Sequence, residues 1–201
     1  MIDAGLQRIL ARPLDAAGRA LAASGISANS VTLAGLGVAM VLVFVLATGQ
    51  YALGLLLLAL NRVLDGVDGA IARATRKTDL GGYLDSVADY VFYAGVPFGL
   101  ALANPQDNAL PAVALLGSFL LTGASFLAFA ALAAKRGLEP DAVRAKAFFY
   151  SVGLMEGAET IAFFVAMLLW PGYFPALAWV FAGLCVLTAV QRSLVAAKQF
   201  R

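Results

Sequence analysis

Apolar residues run through this chain in blocks too long for the core of a soluble domain, near residues 30–49, 51–74, 82–104, 109–134, 146–170 and 173–197. Each has about the 20 residues that a helix needs to cross a bilayer. Sustained period-two alternation is absent, which argues against a membrane barrel. The breaks fall at Gly49-Gln50, Asn104 to Asn108 and Trp170 to Pro175, all rich in turn formers, and at Thr75–Gly81 and Lys135–Lys146. Ahead of the first block, Leu6, Ile9, Leu10, Leu14, Ala17 and Leu21 recur at helical spacing, with Arg8, Arg12, Asp15 and Arg19 on the opposite stripe. The pattern predicts an all-α integral membrane protein. Six transmembrane helices follow an N-terminal amphipathic helix over 3–23, which lies on the cytoplasmic membrane face with its arginines toward lipid phosphates. Packing of that helix against neighbouring loops is the alternative. Asp3 and Arg8 interrupt residues 3–23, so they do not read as a signal peptide. With no repeat of 20–50 residues, 1–201 reads as a single membrane domain.

Composition turns this pattern into exclusions. The chain is 62% hydrophobic and 13% charged, against about a quarter charged in soluble domains. Disorder, a disulfide scaffold and a soluble enzyme are excluded. Cys185 is the single cysteine and sits in a small apolar setting that reads as packing. Histidine is absent, so any proton transfer must use another base.

Charge adds orientation. Arg8, Arg12 and Arg19 precede the first block; Arg73, Arg76 and Lys77 end the second; Lys135, Arg136, Arg144 and Lys146 separate the fourth and fifth; Lys198 and Arg201 close the chain. The alternate turns contain no Lys or Arg. Positive charge marks the cytoplasmic side, so both termini and the charged connections are expected there, in a membrane of the bacterial inner type. The net charge of +2 is then a matter of topology, and no nucleic-acid partner is expected.

Acidic residues concentrate where the second and third blocks meet. Asp65 and Asp68 are three apart and Asp85 and Asp89 four apart, so on helices each pair shares a face. Two antiparallel helices joined by a short turn would bring the four carboxylates together. Acids inside a membrane are costly unless they face water, protein or a cation. Four such groups need counter-cations, and divalent ions with oxygen ligands suit them; two ions close together suit phosphoryl or phosphodiester transfer. Gly66, Gly69, Gly81 and Gly82 leave space beside the acids, either for helix packing or for a diphosphate. Arg62 and Arg73 flank the cluster, placed to take phosphate oxygens or to pair with the acids.

The order of Asp65, Asp68, Gly69, Ala72, Arg73, Gly81, Asp85 and Asp89 resembles the signature of the CDP-alcohol phosphotransferase (CDP-alcohol phosphatidyltransferase) family. Seven residues separate Arg73 from Gly81, where that pattern commonly has eight; the difference falls in the turn. The segment from Gly25 through Asn29 and Thr32 to Gly35 is also similar to the family's stretch before its first span. The resemblance implies transfer of a substituted phosphate from a CDP-linked donor to an alcohol, with release of CMP. It implies that Asp65, Asp68 and Asp85 hold two divalent ions, Mg²⁺ or Mn²⁺. Asp89 contributes to the second ion or acts as base toward the acceptor hydroxyl. Gly66, Gly69, Gly81 and Arg73 would face the cytidine diphosphate, joined by Asn29 and Thr32. For those last two, helix capping is the competing role. A donor such as CDP-diacylglycerol carries its reactive group at the membrane interface, where these carboxylates fall.

Family members that use phosphorylated acceptors usually carry arginines in the fourth and fifth spans. The nearest segments here, Ser125 to Ala130 and Glu156 to Thr160, lack them. A phosphate acceptor needs cationic donors, so the expectation is a small non-phosphorylated alcohol, with Ser125 and Glu156 or Glu159 touching it. Pairing of these glutamates with Arg62 or Arg192 is the alternative, as is snorkelling of Arg192 to headgroups. The converse reaction, from a CDP-amino alcohol to diacylglycerol, is a rival. So, in a different class, is a small cation carrier. The Gly-rich and aromatic faces of spans three to six leave both a homodimer and internal packing open.

Overall fold

In a computed structural model of the chain, residues 2–137, 155 and 157–200 are described, with side chains from residue 12 onward. The described residues are helical, with no strand among them. The elements are α1 (Ile2–Ala23), α2 (Ala28–Ala47), α3 (Tyr51–Ala74), α4 (Asp79–Ala103), α5 (Pro105–Lys135), α6 (Gly157–Leu169), a 3-10 turn (Pro171–Tyr173) and α7 (Phe174–Gln199). They form two compact units, Met1–Gln106 and Asp107–Arg201.

Local sequence explains the helix ends. Ser27, not Asn29, is the N-cap of α2: its hydroxyl accepts from the Ser30 amide at 3.1 Å, so the helix begins two residues earlier than the apolar block. At the other end Gly49 adopts a φ of 75°, and the Gly49 and Gln50 amides return to the Leu46 and Val45 carbonyls at 2.9 and 3.2 Å. This left-handed cap ends the helix where a side chain would be strained. Thr78 caps α4 by accepting from the Gly81 amide at 3.0 Å, with Asp79 in the favourable first turn. The turn expected across Asn104 to Asn108 shrinks to Asn104, because Pro105 opens α5 directly. Proline is pre-organised for a first helical position, where its missing amide costs nothing.

Among the described residues, four stretches are long and apolar enough to cross a membrane: Ala28–Ala47, Asp79–Ala103, Pro105–Lys135 and Pro171–Gln199. Helix α3 is also long enough, but Arg62, Asp65 and Asp68 lower its apolar character. Large side chains such as Phe44, Leu56, Leu120 and Leu194 are exposed, as a lipid-facing surface requires.

In the first unit α2 packs against both α3 and α4, and α1 packs against α3. Glycines set the approach. A Cβ at Gly99 of α4 would lie 2.8 Å from Leu46 Cβ and 3.0 Å from the Val43 carbonyl oxygen of α2. Helix α1 uses Gly18 in the same way, where a Cβ would come 2.6 Å from Ala70 Cβ. Leu14, Leu21 and Ala22 of α1 join Val31, Val67 and Ile71 in a core. Of the described residues of the apolar stripe of α1, Leu14 and Leu21 therefore pack on protein, and Ala17 is exposed. Arg12 and Arg19 are exposed. In the second unit, Phe119 of α5, Phe163 and Phe164 of α6 and Phe181 of α7 interlock, with Phe163 and Phe181 stacked at 4.5 Å between centroids.

Candidate active site

The acidic residues reach one place because α3 and α4 run antiparallel through the short turn at 75–78, both packed on α2. Asp65 from α3 and Asp85 and Asp89 from α4 each offer a carboxylate oxygen, and these three atoms lie within 4.8 Å of one another. Oxygen donors at this spacing fit a hard divalent cation. The shorter turn does not keep the two acidic faces apart.

Asp68 stands differently. It is buried, and Thr32 Oγ1 donates to its Oδ2 at 2.6 Å. Asp65, Asp85 and Asp89 converge most closely, while Asp68 lines a small pocket with Asp65 and Asp89 and has one oxygen held by a hydroxyl of α2. Thr32 caps no helix end; it ties α2 to the acidic motif. Thr32→Val is expected to destabilise the protein by about 1–3 kcal/mol, because it removes a buried donor while leaving the carboxylate in place. Thermal unfolding in detergent measures this, and an unchanged midpoint would contradict it.

Arg62 is woven into the cluster. Both terminal nitrogens donate to Asp89 Oδ1 at 3.1 Å, and Nη1 lies 3.7 Å from Asp65 Oδ2. The guanidinium carbon sits 4.0 Å from the centre of the Phe92 ring. Arg62 Nε donates to Asn61 Oδ1 at 3.0 Å, and Asn61 Nδ2 donates to the Gly35 carbonyl of α2 at 2.8 Å. Of the roles open to Arg62 in the sequence, pairing with acids is the one observed.

Beside the carboxylates lies a cavity of about 400 Å³ lined by residues that include Asn29, Thr32, Asp68, Gly69, Arg73 and Asp85. That volume is within the range of small-molecule sites. Arg76, Lys77 and Gly81 also line it. Arg73 lies across Gly69, where a Cβ would be 3.3 Å from Nη1, and its Nη2 donates to Asp15 of α1 at 2.8 Å. At Gly81 a Cβ would meet Asn29 Oδ1 at 3.2 Å, so the bare glycine lets α4 start against α2.

Gly66 departs from expectation. It faces α1, where a Cβ would fall 2.9 Å from Leu14 Cδ1, and it lines neither the cavity nor the pocket around the carboxylates. Its bareness admits α1. Sequence reasoning also passed over Arg76, Lys77 and Asp15. In the sequence the first two mark only the membrane side, although they follow Arg73 of the motif within four residues. Asp15 belongs to a polar stripe, where its signal is that it is the lone acid among arginines.

In the second unit, Arg192 of α7 turns inward and does not extend away along its helix. Its Nη1 donates to the Thr122 carbonyl at 2.9 Å and to Ser125 Oγ at 3.1 Å. Glu159 lies in the first turn of α6 and is half-buried. Glu156 lies outside the described residues.

Comparison with known proteins follows from this arrangement. A family model described as CDP-alcohol phosphatidyltransferase matches residues 26–191. Inner membrane protein YnjF of Escherichia coli is 45% identical over 174 residues, covering 87% of this chain and 84% of that protein. Archaetidylinositol phosphate synthase of Pyrococcus horikoshii is 33% identical over 112 residues, 55% of this chain and 60% of that protein. A crystal structure of Mycobacterium tuberculosis phosphatidylinositol phosphate synthase with CDP-DAG bound has the same fold, with a TM-score of 0.69 and 20% identity over 90% of this chain and 92% of that one. With its acidic motif on two antiparallel helices and a match that spans residues 26–191, the chain belongs to the CDP-alcohol phosphatidyltransferase family.

Proposed function

We propose that this protein transfers a phosphatidyl group from CDP-diacylglycerol to a small non-phosphorylated alcohol and releases CMP. The observation that carries the reading is the convergence of Asp65, Asp85 and Asp89 within 4.8 Å beside a cavity of about 400 Å³ rich in cationic residues. Asp65, Asp85 and Asp89 are the core of the metal-binding set, and Asp68 completes it through the oxygen that Thr32 does not hold. Two Mg²⁺ or Mn²⁺ ions bound there would polarise the diphosphate and neutralise charge developing on the leaving CMP.

The protein's own groups do the rest. Arg73, Arg76 and Lys77 bind the anionic donor from the cavity wall, with Gly69 and Gly81 leaving room for it and Asn29 at its edge. Asp89 accepts the proton of the acceptor hydroxyl as the new oxygen–phosphorus bond forms and the bond to CMP breaks. Ser125, Glu156 and Glu159 serve the acceptor.

The membrane arrangement belongs to the same reading. Helix α3 and the apolar block near 146–170, part of which lies outside the described residues, join the four apolar stretches as six spans, α1 lies at the interface on the cytoplasmic side, and both termini and the site face the cytoplasm. The distribution of Lys and Arg supports this, as does similarity to a bacterial inner membrane protein. The match over 26–191 crosses both compact units, which supports a single functional domain.

The test is CMP release from CDP-diacylglycerol in detergent with Mg²⁺ or Mn²⁺, across a panel of alcohols, with lipid products identified by mass spectrometry. Transfer to glycerol, inositol or serine above their phosphorylated forms is expected. No release from any CDP-alcohol, together with cation flux in vesicles, would replace the enzyme with a carrier. One observation favours a second acceptor class: Arg192 brings a guanidinium to Ser125, partly replacing the arginines missing from α5 and α6. Preference for a phosphorylated alcohol in the same panel, lost in Arg192→Gln, would establish it.

A further inference from the structure

Arg62 is a strongly held cation that the transfer reaction itself does not call for. Its side chain is 20% exposed, on a helix where charge is costly. Two of its partners belong to the carboxylate cluster, Asp89 at 3.1 Å and Asp65 at 3.7 Å. Its other partners carry no charge. Asn61, buried and anchored to the Gly35 carbonyl at 2.8 Å, accepts from Nε at 3.0 Å. The buried Phe92 ring lies 4.0 Å beneath the guanidinium, a distance at which a cation gains from the ring's negative face. Neither of these two contacts is made through a carboxylate.

We infer that Arg62 is a built-in counter-cation of the carboxylate cluster that competes with the divalent ion. Without metal it holds Asp65 and Asp89 together. With metal it yields their oxygens and is retained by Asn61 and Phe92. The inference rests on the metal reading given above. Its physical basis is charge balance: carboxylate oxygens gathered within 4.8 Å repel one another, and a resident positive charge offsets this while opposing a second cation at the same oxygens. Arg62 thereby protects the metal-free fold and weakens metal binding, so that the ion exchanges.

Wild type, Arg62→Gln and Arg62→Lys are compared in detergent without lipid substrate, by thermal unfolding in EDTA and by Mn²⁺ titration followed through the free-ion EPR signal. Arg62→Gln is expected to unfold at lower temperature in EDTA, to close that gap at saturating Mn²⁺, and to bind Mn²⁺ about tenfold more tightly. Arg62→Lys keeps the charge and is expected within about threefold of wild type. If Arg62→Gln is as stable as wild type in EDTA, or binds Mn²⁺ no more tightly while wild type does bind it, the inference is overturned and the metal reading stands. Binding of Mn²⁺ by neither protein removes the metal reading and the inference with it. An Arg62→Gln protein that folds only with Mn²⁺ supports competition, and one that folds in neither condition assigns Arg62 a purely structural role and overturns it.

Discussion

Asp89→Asn is expected to reduce CMP release by about 10³-fold while leaving metal-dependent binding of the CDP donor close to that of wild type. The size follows from the range usual for a positioned general base, about 10² to 10⁴. With no histidine in the chain, the base must come from another side chain, and Asp89 is a carboxylate of the cluster, 3.1 Å from Arg62. Asparagine keeps the shape and can still accept from Arg62 through its carbonyl oxygen, so the arrangement of α3 and α4 survives. What it loses is the capacity to take a proton. Single-turnover CMP release and equilibrium binding of the CDP donor separate the two effects. If donor binding falls as far as turnover does, Asp89 acts through the metal alone and the base must be sought elsewhere. Asp85→Asn provides the contrast, because loss of a metal ligand should weaken donor binding as well as turnover.

Gly99→Ala is expected to destabilise the protein by about 1–3 kcal/mol, the usual cost of forcing extra volume into a closed contact. The added Cβ would meet a Cβ at 2.8 Å and a backbone carbonyl at 3.0 Å, neither of which can rotate away. Helix α4 would have to move off α2. Gly95 lies one turn earlier on the same face, but its Cβ would meet only Val43 Cγ2 at 2.8 Å, the end of a side chain that can turn. Gly95→Ala should therefore cost less than Gly99→Ala. At Gly37 a Cβ meets nothing within 4 Å, so Gly37→Ala serves as the control and should leave unfolding unchanged or raise its midpoint. An order other than Gly99, Gly95, Gly37 would show that the α2–α4 contact is looser than these distances imply. Helix α4 also carries Asp85 and Asp89, so activity in Gly99→Ala should fall further than the folded fraction alone requires.

Both predictions separate what can be read along a chain from what requires packing. Apolar length, turn formers and the placement of lysine and arginine are local properties, and outside the start of the 146–170 block, which is not among the described residues, they place the helix ends to within a few residues. The acidic motif was equally legible, because in so apolar a chain a carboxylate is expensive and its position carries information. Spacing of three and four along two helices was enough to expect that the acids meet. Spacing could not say which oxygens meet. That depends on the relative rotation and depth of α2, α3 and α4, which glycines far apart in sequence determine by how closely they let helices approach.

The same limit explains the individual surprises. Gly66 sits among the acids in sequence, yet the docking of α1 gives its open face to Leu14. Asp68 shares a helical face and a small pocket with Asp65, yet a threonine 36 residues earlier holds one of its oxygens. Arg73 is tethered by an aspartate 58 residues away, and Arg192 turns inward to a serine 67 residues away. None of these partners is within a helical turn, so no local pattern could have named them. By itself the sequence determined a helical membrane protein and the motif of its family, since both are written in the transfer cost of single residues. Only the tertiary structure decided that three carboxylates converge, that Arg62 is set among them, and that α1 is packed onto α3 beside the site, because hydrogen bonds and ion pairs form between side chains that folding alone makes neighbours.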